Sequence, residues 1–139
     1  KVYCKECLEK IVGIGIDLVE VARFKKWIQN PQMIERFFNK NEISFVLKCE
    51  LSERQISALS QKLAVRFAAK EAFSKAIGTG ITGFDLKDVY VLNEPNGKPY
   101  LVLENSAKEL FDSICKSAKI HLSLSHEKEY AIANVVIEN

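Results

Sequence analysis

No stretch of this 139-residue chain approaches the roughly 20 consecutive apolar residues of a membrane-spanning helix. The longest apolar stretches, such as Ala131-Ile132-Ala133 leading into Val135-Val136-Ile137, are strand-sized, and no membrane partner is expected. Charge of one sign is also scarce. The formal net charge is +2, too weak a bias for a nucleic-acid binder, although cations gather locally at Arg23, Lys25 and Lys26. No GxGxxG fingerprint is present, so a dinucleotide fold is not indicated. Cys4 and Cys7 have the spacing of a zinc half-site, but no second CxxC or HxxxH pair follows to complete four ligands. The four cysteines therefore read as reduced thiols in a reducing compartment. There is no internal repeat and no low-complexity tract. The expected location is the cytoplasm, or an organelle if a targeting segment has been removed.

What is present suits one domain. The hydrophobic fraction is 47%, enough to fill one core, and the charged fraction of 27% is that of an ordinary soluble protein. Residues 1–10 read as a polar lead-in and residues 11–139 as the domain. Residues 11–16, with Gly13 and Gly15, predict a strand that Asp17 ends. Glycine inside a strand marks the close approach of another backbone or a ligand. Leu18, Val21, Phe24, Trp27 and Ile28 recur at helical spacing, predicting a helix over 18–28 with Asp17 placed to cap it. Asn30-Pro31 breaks it, and two short helices are expected over 33–38 and 42–48.

Between Glu53 and Ile77 there is neither glycine nor proline. A capping box at Ser52 and Gln55 opens this stretch and Gly78 closes it, predicting one long helix. The period then changes. Residues 86–92, the Pro95-Asn96-Gly97 turn and residues 99–103 form a hairpin signal. An amphipathic helix is expected over 105–116. Ile120, Leu122 and Leu124 alternate with His121, Ser123 and Ser125 as in a half-buried strand, and 130–137 is a final buried strand. The class is α+β, helices covering one face of a mostly antiparallel sheet.

Four constellations carry candidate chemistry. Asp17 is a carboxylate at a strand end, either a helix cap or a ligand group. Arg66, Lys70, Glu71 and Lys75 lie on the long helix, with Glu71 and Lys75 sharing one face and Arg66 and Lys70 a neighbouring one. Such charges are often solvated ion pairs. Here they are embedded in alanines and phenylalanines, where unpaired charge is expensive. A glutamate beside three cations is better explained if cations face a phosphate and the glutamate faces a metal. Gly78-Thr79-Gly80-Ile81-Thr82-Gly83 is either a plain helix stop or a loop whose backbone N–H groups meet a ligand. A phosphate there would need nearby cations, because a helix C-terminus repels anions. His126 follows two serines at a strand end, a structural or phosphate-contacting position.

Together these segments resemble the holo-acyl carrier protein synthase family of phosphopantetheinyl transferases. The matching stretches are Gly13-Ile14-Gly15-Ile16-Asp17 with Arg23, Arg66 through Ala76 running into Gly78-Thr79-Gly80, Asn96-Gly97-Lys98-Pro99, and Ser123-Leu124-Ser125-His126 with Tyr130-Ala131. The resemblance implies that fold, coenzyme A as donor, a serine of an acyl carrier protein as acceptor, and adenosine 3′,5′-bisphosphate as product. It implies Mg2+ held by Asp17 and Glu71, with Lys75 on the diphosphate, and a homotrimer with sites between subunits. Arg66, Lys70, Lys75, Gly78, Gly80 and His126 would hold coenzyme A, and Arg23, Lys25 and Lys26 would face the carrier. The catalytic set is then Glu71, Lys75 and Asp17, with Glu71 favoured over Lys75 as base. Two other classes stay open: a Mg2+-dependent enzyme of nucleotides or diphosphates, and a non-catalytic carrier-binding module.

Overall fold

The computed structural model describes residues 11–43 and 50–139. Strand β1 (Ile11–Glu20) leads into three short helices, α1 (Ala22–Ile28), α2 (Pro31–Phe37) and α3 (Lys40–Ile43), and then the long helix α4 (Glu53–Ile77). A 3-10 turn at Leu86–Asp88 precedes the hairpin of β2 (Val89–Asn93) and β3 (Pro99–Leu103). Helix α5 (Asn105–Cys115), β4 (Lys119–His126) and β5 (Tyr130–Glu138) complete the chain. The fold is α+β. The lead-in expected over 1–10, residues 44–48 of the expected second short helix, and Cys49 lie outside the described residues.

The expected limits of α4 hold for local reasons. Ser52 Oγ accepts from the Gln55 N–H at 3.2 Å, and Gln55 Oε1 accepts from the Ser52 N–H at 2.8 Å, so both halves of the capping box form. Gly78 closes the helix at φ 81°, a left-handed geometry that costs glycine little.

The strand before α1 is longer than its sequence suggests. β1 pairs antiparallel with β5 from Ile11 to Glu20, and the Val21 N–H continues to the Glu129 carbonyl at 2.8 Å. Asp17 therefore sits inside the strand, opposite Ala133, and caps nothing. Helix α1 starts at Ala22, its N-cap is Val21 without a side-chain bond, and Leu18 belongs to β1 rather than to the helix's apolar side. The reason is tertiary. β5 offers partners along all of β1, and a ladder of nine registered pairs outweighs a helical start at Leu18.

Three strands form one sheet in the order β1-β5-β4, with the β2–β3 hairpin as a second sheet. Helix α4 lies across β1 and β5. The contact is backbone on backbone: a Cβ on Gly13 would stand 1.8 Å from the Ala76 carbonyl oxygen, and one on Gly15 1.8 Å from that of Ala72. The other face of β1 points outward, with Ile14, Ile16 and Leu18 at 64%, 55% and 61% exposure. Across the opposite side of α4, Phe24, Trp27, Phe37, Phe38 and Phe67 form an aromatic cluster with ring centroids 4.8–6.4 Å apart. Each fully buried ring contributes about 1.5–3 kcal/mol.

Candidate active site

The close seating of β1 on α4 brings strand and helix side chains together. Asp17 points to the helix face bearing Glu71 and Lys75. Lys75 Nζ donates to Asp17 Oδ1 at 3.1 Å and to the Ile16 carbonyl at 2.9 Å. Asp17 Oδ2 is buried and has no hydrogen-bond partner. A carboxylate oxygen left so costs about 1–3 kcal/mol, a cost that a ligand at this point would remove.

Glu71 completes the cluster. Its pKa is raised, first by desolvation and then by the Asp17 charge, while Lys75 and Arg23 pull the other way. Two carboxylates held near each other in partial burial repel. An added divalent cation relieves both causes, and an all-oxygen donor set suits Mg2+. Among the described residues no group of three or more His, Cys, Asp or Glu converges to hold a metal, so the remaining ligands of such an ion would come from substrate and water.

A raised carboxyl pKa contributes stability below the ordinary value near 4.5, and that contribution is lost as pH rises through the folded-state value. Glu71→Gln removes this dependence. Without divalent cation, Glu71→Gln should melt higher than the unchanged protein at pH 7, with the gap closing near pH 4. Thermal melts in a chelator at both pH values check this, and parallel curves for the two proteins would refute it.

The other expected site residues fall in several places. Arg66 reaches the hairpin, its Nη2 donating to Asn93 Oδ1 at 3.4 Å, while its Nε is buried without a partner. Burial lowers its pKa, and Glu42 opposes that effect. Lys62, one turn earlier, has its pKa lowered by burial and then by Arg66, so the two cations share a neighbourhood. His126 ends β4, with Nδ1 3.0 Å from Gln61 Oε1, an acceptor that places the ring proton on Nδ1. It borders a groove of about 140 Å3 shared with Leu18, Ser125 and Tyr130. Gly78 and Gly80, at φ 81° and 63°, have open space where a Cβ would stand. His121 pairs with Glu138 at 3.2 Å, a surface contact on the sheet.

Lys70 does not line this site. Its side chain is fully buried, and Nζ donates to Glu42 Oε2 at 2.8 Å, to the Leu86 carbonyl at 3.0 Å and to the Val89 carbonyl. An ammonium has three donors, so none remains for a nucleotide. The expectation that Lys70 holds coenzyme A is corrected accordingly. Sequence reasoning missed Glu42, whose partner lies 28 positions away, and Gln61, whose partner lies 65 away. No local spacing signals either.

Volume does not mark the site. A cavity of about 730 Å3 lies between α3 and the start of α5, and another of about 300 Å3 lies over Leu51, Gln55 and Leu59. Neither holds the Asp17 cluster.

A family model described as the 4′-phosphopantetheinyl transferase superfamily matches residues 13–135. A holo-[acyl-carrier-protein] synthase of Treponema denticola is 51% identical over 92% of this chain and 98% of its own length. The chain belongs to the holo-[acyl-carrier-protein] synthase family, a phosphopantetheinyl transferase. A further synthase of this family, from Clostridium perfringens, is 38% identical over 92% of this chain and 94% of its own. Solved synthases share the fold. The Bacillus anthracis enzyme, described in complex with CoA (3′,5′-ADP), is 39% identical with a TM-score of 0.72, covering 93% of this chain and 97% of that one. The Helicobacter pylori enzyme in complex with coenzyme A is 31% identical with a TM-score of 0.69, covering 89% and 98%. Among the described residues no helix is long and apolar enough to cross a membrane.

Proposed function

We propose that this synthase catalyses Mg2+-dependent transfer of 4′-phosphopantetheine from coenzyme A to a serine of apo-acyl carrier protein, supporting fatty acid biosynthesis in the cytoplasm. The observation that carries the reading is the buried, unpartnered Asp17 Oδ2 beside Glu71 and Lys75 in a chain of this family. Asp17 and Glu71 would hold Mg2+, which when bound neutralises charge on the diphosphate.

The remaining steps belong to the chain's own residues. Lys75, 51% exposed on one side chain of its ion pair, is free to turn from Asp17 to the diphosphate. The serine oxygen forms a bond to the phosphorus next to pantetheine, the bond from that phosphorus to the bridging oxygen breaks, and adenosine 3′,5′-bisphosphate leaves. Glu71, directly or through one water, takes the serine proton. Arg66, with its unpartnered Nε, and His126 would hold the phosphates of the nucleotide, and Gly78 and Gly80 leave room for it. Incubation with Mg2+, coenzyme A and an apo-carrier protein should add the mass of phosphopantetheine to the carrier. Release of nucleotide without carrier modification would favour a diphosphate hydrolase, and carrier binding without chemistry a docking module.

The exposed Ile14, Ile16 and Leu18, with Val136 and Ile132 beside them in register, form an apolar sheet face. This face is what copies of the chain would cover in a homotrimer. Sedimentation should give three times the chain mass in active protein, and a stable active monomer would refute the trimer.

Carrier docking falls to α1. Arg23, Lys25 and Lys26 are exposed, and the Arg23 guanidinium lies 5.0 Å from the Phe67 ring, one helical turn before Glu71. An acidic partner seated there would bring its serine to the carboxylates. Arg23→Glu should raise the KM for the carrier by about tenfold or more at low salt, leave the KM for coenzyme A unchanged, and flatten the salt dependence. An unchanged carrier KM would eliminate this surface.

A further inference from the structure

The buried Glu42–Lys70 pair is not used by the chemistry above, yet its connections are extensive. Neither side chain is exposed. Glu42 Oε2 accepts from Lys70 at 2.8 Å and from the Asn39 N–H at 3.0 Å, and Oε1 accepts from the Val91 N–H at 3.1 Å. Lys70 Nζ also holds the carbonyls of Leu86, the first residue of the 3-10 turn, and Val89, the residue that follows it, and stands 5.3 Å from the Phe38 ring. One residue pair thus ties α3, α4, the 3-10 turn and β2 together.

The opposite face of α4 lacks such a fastening. It meets β1 through the Ala72 and Ala76 backbone against Gly13 and Gly15. A surface of glycine on alanine permits close approach but does little to stop a helix rotating or sliding. The polar ties on that side are Lys75 to Ile16 and Asp17, and Gln61 to His126. In the reading given above, on which this inference rests, Lys75 leaves that tie for the diphosphate during turnover. Lys70 then remains as a fully buried polar anchor of α4, one residue before Glu71.

We propose that Glu42 and Lys70 are positioning residues: their buried pair fixes the rotation of α4 and so the placing of Glu71 against Asp17 when Lys75 engages substrate. Neither touches substrate. Their effect passes through the carboxylate that Lys70 precedes, and a misplacement of about 1 Å there can cost about 100-fold in rate.

The test is the double variant Glu42→Gln/Lys70→Met, which approximates the shapes and removes both charges. Three readouts are needed: the thermal melt, the affinity for Mn2+ followed by the free-ion paramagnetic resonance signal in the presence of coenzyme A, and steady-state kinetics. The expected result is a cooperative melt, Mn2+ affinity weakened about 10-fold or more, kcat down by about 10- to 100-fold, and the KM for the carrier unchanged. A purely structural role would change the melt and leave Mn2+ affinity and kcat at their original values, which overturns the proposal. Should the double variant not fold, Glu42→Asp keeps both charges and shortens the reach by one methylene. A smaller loss of Mn2+ affinity and kcat in the folded Glu42→Asp protein supports the proposal, and unchanged values refute it. The unchanged protein is assayed in parallel. If it transfers nothing to a carrier, the functional reading fails, while the Mn2+ comparison still decides the positioning role.

Discussion

Gly15→Val is expected to yield no cooperatively folded protein. A Cβ at Gly15 would stand 1.8 Å from the Ala72 carbonyl oxygen and 2.8 Å from both the Ala72 carbonyl carbon and the Ala76 nitrogen. These are backbone atoms of a continuous helix, so no side chain can turn aside. β1 and α4 must separate, and the loss exceeds the about 1–3 kcal/mol of ordinary overpacking. It reaches the order of the whole stability of a small domain, about 5–15 kcal/mol. Even Gly15→Ala places that first atom in the same position. Gly78→Ala is the contrast: nothing lies within 4 Å of its would-be Cβ, and only the left-handed φ of 81° is strained. That variant should fold and lose about 1 kcal/mol. Circular dichroism melts of the three proteins test the difference, and a Gly15→Val protein with an unaltered melt would contradict the described packing.

Glu71→Ala should abolish transfer in a protein that still folds. Glu71 is partly buried, its charge is disfavoured where it stands, and its removal relieves repulsion with Asp17. The melt should therefore hold or rise in the absence of divalent cation. Activity should drop by about three orders of magnitude or more, since one ligand of the proposed Mg2+ and the proton acceptor are lost together. Asp17→Ala should lose activity to a similar degree, and additionally leaves Lys75 without its ion-pair partner. Near-normal kcat for Glu71→Ala at saturating coenzyme A and Mg2+ would remove both roles from this residue.

Local chemistry in the sequence specifies some elements closely. The helix from Glu53 to Ile77 is bounded by a reciprocal cap and a left-handed glycine, signals that need no tertiary partner. The hairpin around Pro95-Asn96-Gly97 is equally local, and its β2 strand follows a 3-10 turn that Asp85 caps, accepting from the Lys87 N–H at 3.0 Å. The start of the chain misleads for a physical reason. In β1 the large apolar residues Ile14, Ile16 and Leu18 face outward, while glycines face the helix, which inverts the usual alternation. Leu18 then reads as the first residue of a helical row. Glu71 and Lys75 are legible because their spacing puts them on one helix face, whereas Asp17, which the sequence puts at a strand end, lies inside β1. Lys70 is not legible, since a cation among alanines looks alike whether it faces a ligand or an acid from a distant segment.

Strand order has a bearing on how the protein comes to be made. β5, the last strand in the chain, is the middle strand of its sheet, and the first strand β1 has its described pairing there. Residues 11–20 must therefore wait for residues 130–138 to emerge from the ribosome before their ladder can close. Until then α4 is able to form early from its own caps, while β1 has its backbone donors and acceptors unpaired towards β5. Such long-range closure is slow and exposed to aggregation. Nascent chains stalled before Tyr130 should accordingly be protease-sensitive and dependent on chaperones, and acquire resistance in one step once Glu138 has cleared the exit tunnel.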